Sequence, residues 1–242
     1  MAKCSKIILA AFAAGAVAAT AQAGTVTVAA TRDIFLASQP GGASVTGYFG
    51  TDTAPGASPV AFDVSGGAAL TFSAIGTTSV DGSCFAGADG GCYGDQSSFS
   101  PAPASGTYKG PADALIGVFL DGSTTDVSMG LASLDYTQAG NRALASQTPA
   151  LDQIFFIGDG LTGTGTGDVQ QFIAPTGATK LFIAAADSIG ASGGNLGSLS
   201  VTFTGATLSA PVPEPAAWTL MLVGVGALGV AARRRRQAAF AA

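Results

Sequence analysis

The sequence predicts an all-β protein, a jelly-roll-like β-sandwich preceded by a signal peptide and followed by a single transmembrane helix. Three observations carry this. Short segments such as Thr25-Val26-Thr27-Val28 and Leu199-Ser200-Val201-Thr202-Phe203-Thr204 alternate apolar and polar residues, the period that puts one face of a strand in a core and the other in water. Clusters of Gly, Pro, Asp, Ser and Thr separate these segments and mark turns; Gly alone supplies 35 of the 242 residues. No stretch between residues 24 and 210 has an amphipathic helical period.

Taken in order, Met1 to Ala23 reads as a secretory signal. Lys3 and Lys6 precede an apolar run, Ile7 to Ala19, and Ala21-Gln22-Ala23 is a small-x-small cleavage site. An uncleaved N-terminal anchor is the alternative. Cys4 lies ahead of the apolar run and should leave with the signal. The body, residues 24–210, then offers strands at Thr25–Val28, Ala69–Ile75, Leu115–Leu120, Gln153–Ile157, Lys180–Ala184 and Leu199–Thr204. Those at Leu115 and Gln153 are apolar enough to be buried on both faces. Two long loops stand out, 81–110 and 136–150; loops of that length are often functional.

Charge narrows the function. Charged residues make up 10% of the chain, against about a quarter in ordinary globular proteins. Between Gly24 and Pro213 there are fourteen Asp, no Glu, and only Arg32, Lys109, Arg142 and Lys180 as bases, so the body carries about −10 (4 minus 14). An acidic body without a basic patch argues against nucleic acid as a partner. There is no His, which removes Ser-His-Asp and Cys-His catalysis and most zinc sites. No enzyme activity is expected; a hydrolase built on paired carboxylates is the remaining catalytic alternative.

Cys84 and Cys92 are isolated in a Gly- and Asp-rich loop, a pattern that reads as a disulfide in an exported protein. Asp81, Asp89 and Asp95 crowd the same loop and either chelate Ca²⁺ or face water. Gly158-Asp159-Gly160-Leu161-Thr162-Gly163 matches the spacing of a dinucleotide-binding loop, but that loop needs a helix next. Here Thr164-Gly165-Thr166-Gly167 follows, so a glycine hairpin before a strand from Asp168 to Ala174 is expected instead. Asp187 to Ser198 leaves one strand and enters the last; Asp187 and Asn195 supply hard oxygen donors, and the glycines between them let carbonyls turn inward.

That loop and its flanks, Leu181-Phe182-Ile183-Ala184 and Ser198-Leu199-Ser200-Val201, resemble the calcium loop of the galactophilic bacterial calcium-lectin family. Phe72-Ser73-Ala74-Ile75-Gly76, Asp113-Ala114-Leu115-Ile116-Gly117-Val118-Phe119 and Phe172-Ile173-Ala174-Pro175-Thr176-Gly177-Ala178 follow the family in order. The resemblance covers most of residues 60–205 diffusely. It implies a Ca²⁺ bridging protein and sugar hydroxyls, with side-chain oxygens from Asp187 and Asn195 and main-chain oxygens from Ala191 and Val80. The chain departs from the pattern at Gly194, where the family has an Asn, and at Ala191, where it has a Thr.

The end of the chain has three parts: Val212-Pro213-Glu214-Pro215-Ala216-Ala217-Trp218, an uncharged run from Ala216 to Ala232, and Arg233, Arg234, Arg235 and Arg236. Seventeen helical residues span about 25 Å, at the short end for a bilayer. Trp218 suits an interface, and the arginines put the residues after them, 237–242, on the cytoplasmic side. This resembles the PEP-CTERM sorting tail of Gram-negative bacteria, here residues 211–236. The resemblance implies recognition by a membrane-embedded cysteine protease, the exosortase, with cutting near the prolines, which hold the segment extended. The sequence thus predicts an exported protein, first held at the inner membrane by its C-terminal helix with the body in the periplasm, then passed to the cell surface or exopolysaccharide matrix. Extracellular polysaccharide is the expected ligand of the body, with calcium as the one candidate cofactor and none required. A structural envelope or matrix protein with no ligand is the alternative.

Overall fold

The computed structural model describes residues 23–92, 95–96, 108–122 and 134–209. The predicted signal peptide up to residue 22, the sorting motif at 212–218, the helix at 216–232, the arginine cluster and the 237–242 tail lie outside the described residues. Among the described residues no helix is long and apolar enough to cross a membrane.

The described chain is nearly all β. In order its strands are β1 (Gly24–Ala29), β2 (Ser44–Thr46), β3 (Thr51–Thr53), β4 (Val60–Asp63), β5 (Ala69–Ser79), β6 (Asp95–Gln96), β7 (Gly110–Pro111) and β8 (Leu115–Leu120). There follow β9 (Ser146–Gln147), β10 (Ile154–Phe156), β11 (Leu161–Gly163), β12 (Thr166–Val169), β13 (Gln171–Ile173), β14 (Lys180–Ala185), β15 (Leu196–Thr204) and β16 (Thr207–Leu208). Among the described residues helix is confined to one turn, α1 (Ala139–Arg142), and two 3₁₀ turns, Ile34–Leu36 and Ser192–Gly194.

Two five-stranded sheets, ordered β1-β15-β5-β13-β9 and β10-β8-β14-β4-β16, hold the core. Their strand pairs are antiparallel except β13 with β9. In the first sheet alternation decides the faces. Leu199, Val201 and Phe203 of β15 are buried, as are Leu70, Phe72 and Ala74 of β5. The intervening hydroxyls point outward and bond across strands, Thr25 to Thr202 at 3.0 Å and Thr71 to Thr204 at 2.7 Å. The rings of Phe62 and Phe203 meet at 4.6 Å and those of Phe155 and Phe172 at 5.7 Å, joining the second sheet to the first. All six residues of β8 are buried, and on the neighbouring β10 Phe156, on the opposite face from Phe155, is covered by Tyr136 at 5.8 Å. A continuous apolar run therefore marks a strand packed on both sides.

Five of the six expected strands fall within observed ones, β8 with the expected bounds, while the strand expected at Gln153–Ile157 is the shorter β10, Ile154–Phe156. Two further expectations change. The strand from Asp168 to Ala174 is broken into β12 and β13 at Gln170, whose amide donates to the carbonyls of Arg142 and Leu144, both at 2.7 Å, as the chain passes from one partner strand to another. The 136–150 loop contains α1 and the edge strand β9. In the 81–110 loop, Cys84 and Cys92 form the disulfide, with an S–S distance of 2.10 Å, beside a bridge between Thr78 and Ala86.

Candidate functional site

Beyond Ala185 the chain must cross from β14 in one sheet to β15 in the other, and residues 187–195 make that crossing. Two buried carboxylates from distant segments shape it. Asp33 accepts the Phe35 amide at 2.8 Å, capping its own 3₁₀ turn, and with its other oxygen accepts the Gly190 amide at 2.8 Å. Asp52, from the β2–β3 hairpin, accepts the Ser192 amide at 2.7 Å. Asp187 accepts the Ser188 amide at 2.6 Å, and Asn195 donates to the Ala30 carbonyl at 3.3 Å. Asx-type bonds of this kind let a glycine-rich loop hold one shape.

A cleft of about 720 Å³ opens over this loop, walled by the hairpin at Phe49–Asp52, by Val80 and Asp81, and by Ala112. At the rim the rings of Tyr48 and Phe49 stand edge to face at 5.0 Å, and they are 94% and 73% exposed. None of the side chains lining the cleft is cationic.

The electrostatics follow from burial of like charges. Burial, and then the neighbouring Asp52 carboxylate, push Asp33 up to about 7 against two amide hydrogen bonds that pull it down. Burial also raises Asp187, opposed by hydrogen bonds from Asn195 and Ser188. Asp113 is raised to about 6 by burial, then by Asp187 and Asp81, against the pull of the nearby Thr78 hydroxyl, which donates to the Asp113 main-chain carbonyl. It is 1% exposed, has a left-handed φ of 66°, and neither carboxylate oxygen has a hydrogen-bond partner. Its main chain is fixed: the amide donates to Ala186 at 2.9 Å and the carbonyl accepts the Thr78 hydroxyl at 2.9 Å.

Of the residues singled out in the sequence, Asp187, Ala191, Gly194, Val80 and Asp81 line this one cleft, and Asn195 lies buried beside Asp187 with its Oδ1 unpartnered. Asp81 accepts the Ser83 amide and hydroxyl, and Asp89 accepts the Asp159 amide at 2.8 Å; the side chain of Asp95 is outside the described residues. Among the described residues no three acidic or thiol side chains are grouped to hold a metal by themselves. An oxygen-ligated ion would thus need amide and carbonyl oxygens as well, which hard cations accept; the unpartnered oxygens of Asp113 and Asn195 fit that chemistry. The glycine run at 158–163 turns into the β11–β12 hairpin, with Asp159 accepting the Leu161 and Gly165 amides; no helix follows it. Sequence reading missed Asp33, Asp52, Asp113 and the Tyr48–Phe49 pair. Asp113 alone left a signal, an acid set against the seven apolar or glycine residues that lead through β8.

The fold and the cleft define the described residues as an acidic, nearly all-β body with an oxygen-rich cleft. The chain beyond it supplies a more particular label: residues 211–236 match the PEP-CTERM protein-sorting motif. That motif marks an exported, membrane-associated protein recognised by exosortase. Comparison with curated proteins gives no match over the chain.

Proposed function

We propose that this is an exosortase-sorted protein of the cell surface or exopolysaccharide matrix whose jelly-roll-like body binds carbohydrate in the 187–195 cleft, with calcium as its cofactor. One observation carries the ligand reading: an exposed aromatic pair stands at the mouth of a cleft whose floor is loop backbone, carboxylates and hydroxyls. Aromatic rings stack on the apolar faces of sugars, and a few fixed polar groups then orient the hydroxyls. Asp187 and Asn195 would hold the ion with the Ala191 and Val80 carbonyls. Calcium would supply a positive centre for sugar hydroxyls; the Asp33 and Asp52 carboxylates would hold the loop in shape. The second reading, a ligand-free structural protein, predicts that the cleft is inert.

A glycan array probed with the full chain in detergent and Ca²⁺ separates them. Binding that falls about tenfold or more in Phe49→Ala, the size of one or two lost stacking contacts, supports the first; no glycan bound above background leaves the second.

The address has its own test. In the reading proposed here the 216–232 helix is a temporary anchor and the prolines present an extended segment to the protease. Pro213→Ala with Pro215→Ala, followed by cell fractionation and mass of the mature chain, is expected to leave uncut protein in the inner membrane. Unchanged processing and destination would refute it.

A further inference from the structure

We infer that the Asp113 carboxylate is the innermost ligand of a hard-cation site, completed by Asp187 and the Asn195 side-chain oxygen, that ties the start of β8 to the 187–195 loop. The inference deepens the calcium part of the proposed function, and it stands whether or not a sugar binds.

Asp113 is 1% exposed and Asn195 3% exposed, yet both Asp113 oxygens and Asn195 Oδ1 lack any hydrogen-bond partner. A buried polar group without a partner is costly and uncommon. The Asp113 backbone is held on one side by Ala186 and on the other by Thr78, so the carboxylate cannot escape by a shift of the main chain. Among the described residues every base is engaged elsewhere. Arg32 donates to the Gly56 and Ser58 carbonyls, Lys180 pairs with Asp63, Arg142 donates to the Tyr136 carbonyl and Lys109 faces Asp135. The Asp113 amide donates to the Ala186 carbonyl at 2.9 Å, next to Asp187 in the chain, and Asn195 hydrogen-bonds the Asp187 carboxylate. Two carboxylates and an amide oxygen, with nearby loop carbonyls and water, form an all-oxygen set. That chemistry suits Ca²⁺; the absence of sulfur and imidazole disfavours Zn²⁺ and Cu²⁺. Asp113 also explains why an acid occupies a left-handed position before a fully buried strand: its short side chain tolerates that backbone and points donor oxygens where an apolar residue would merely fill space.

The test uses the full chain in detergent, stripped with chelator, then titrated with CaCl₂ or MgCl₂ and followed by calorimetry and thermal melting. Calcium is expected to raise the melting temperature with a midpoint of about 0.1–1 mM, the range of weak extracellular sites. Asp113→Asn keeps the left-handed backbone and removes the unpaired charge. It is expected to melt higher than wild type without metal, and to lose the calcium-dependent rise, with affinity reduced at least about tenfold. Asp187→Asn should lose the rise as well, while Asp168→Asn, on the exposed β12, keeps it. No calcium-dependent rise in the wild type, or a full rise in both Asp113→Asn and Asp187→Asn, overturns the site. A glycan array without binders leaves it standing.

Discussion

Without metal, Asp33 alone is expected to remove about 4 kcal/mol of stability as pH rises from about 4 to about 7, with Asp113, raised to about 6, adding to the loss in the same direction. The source is the Asp33–Asp52 pair. Asp33 moves from the usual 3.8 to about 7 on folding, first through burial and then through the Asp52 carboxylate beside it. Between those two values the folded chain binds more protons than the unfolded one. Raising the pH therefore favours the unfolded state across that window and has no further effect above it. Each pH unit of the window is worth about 1.4 kcal/mol, which sets the size. Most proteins lose stability on acidification because their carboxylates are paired with bases; here the acids that shape the loop face each other. The discriminating variant is Asp52→Asn. The amide keeps an oxygen for the Ser192 N–H and replaces a like charge by a donor, so part of the pH-dependent loss should vanish and the variant should melt above wild type at pH 8. Urea unfolding at pH 5 and pH 8 for both proteins reads the difference. A wild type as stable at pH 8 as at pH 5 would mean that Asp33 is ionised in the folded protein.

How much of this was visible in the chain depends on the range of the interaction. The β8 strand is legible because six apolar or glycine residues in a row have no other use in a Gly-rich chain, and β15 because its alternation runs unbroken from Leu199 to Thr204. The β2–β3 hairpin was invisible: its strands are three residues each, and Ser44, Thr46, Thr51 and Thr53 are all exposed hydroxyl residues. Yet that hairpin forms one wall of the cleft. The 187–195 loop was noticed for its own donors, Asp187 and Asn195, but what shapes it is remote. Asp33 lies 157 positions from the Gly190 amide it accepts, and Asp52 lies 140 from Ser192. Local patterning reports periodicity and turn chemistry; it carries no information on which of fourteen aspartates will meet across two sheets.

Within the loop, the glycines should differ sharply when replaced by alanine, with Gly190→Ala costing about 3–4 kcal/mol. Gly190 has φ 70°, a conformation that costs an L-residue roughly 1–2 kcal/mol. A Cβ there would also lie 2.6 Å from the Gly50 carbonyl oxygen and 2.8 Å from both the Gly47 nitrogen and the Val45 oxygen. These are backbone atoms of the β2–β3 hairpin, so the hairpin itself must retreat, and such overpacking costs about 1–3 kcal/mol more. The approach is mutual: a Cβ on Gly47 would fall 2.0 Å from the Ile189 carbonyl oxygen, so loop and hairpin touch backbone to backbone, which glycine alone permits. Gly193 meets only a side-chain end, Asp52 Oδ1 at 2.8 Å, and its φ is unstrained. Its alanine variant should cost about 1 kcal/mol, since a carboxylate can rotate at the expense of its hydrogen bond. Gly194 has nothing within 4 Å, so Gly194→Ala should fall within about 0.5 kcal/mol of wild type. Denaturant unfolding of the three variants gives the ranking directly. If Gly190→Ala unfolds like Gly194→Ala, the loop and hairpin are not in contact in solution, and the cleft they enclose has lost the wall that carries Tyr48 and Phe49.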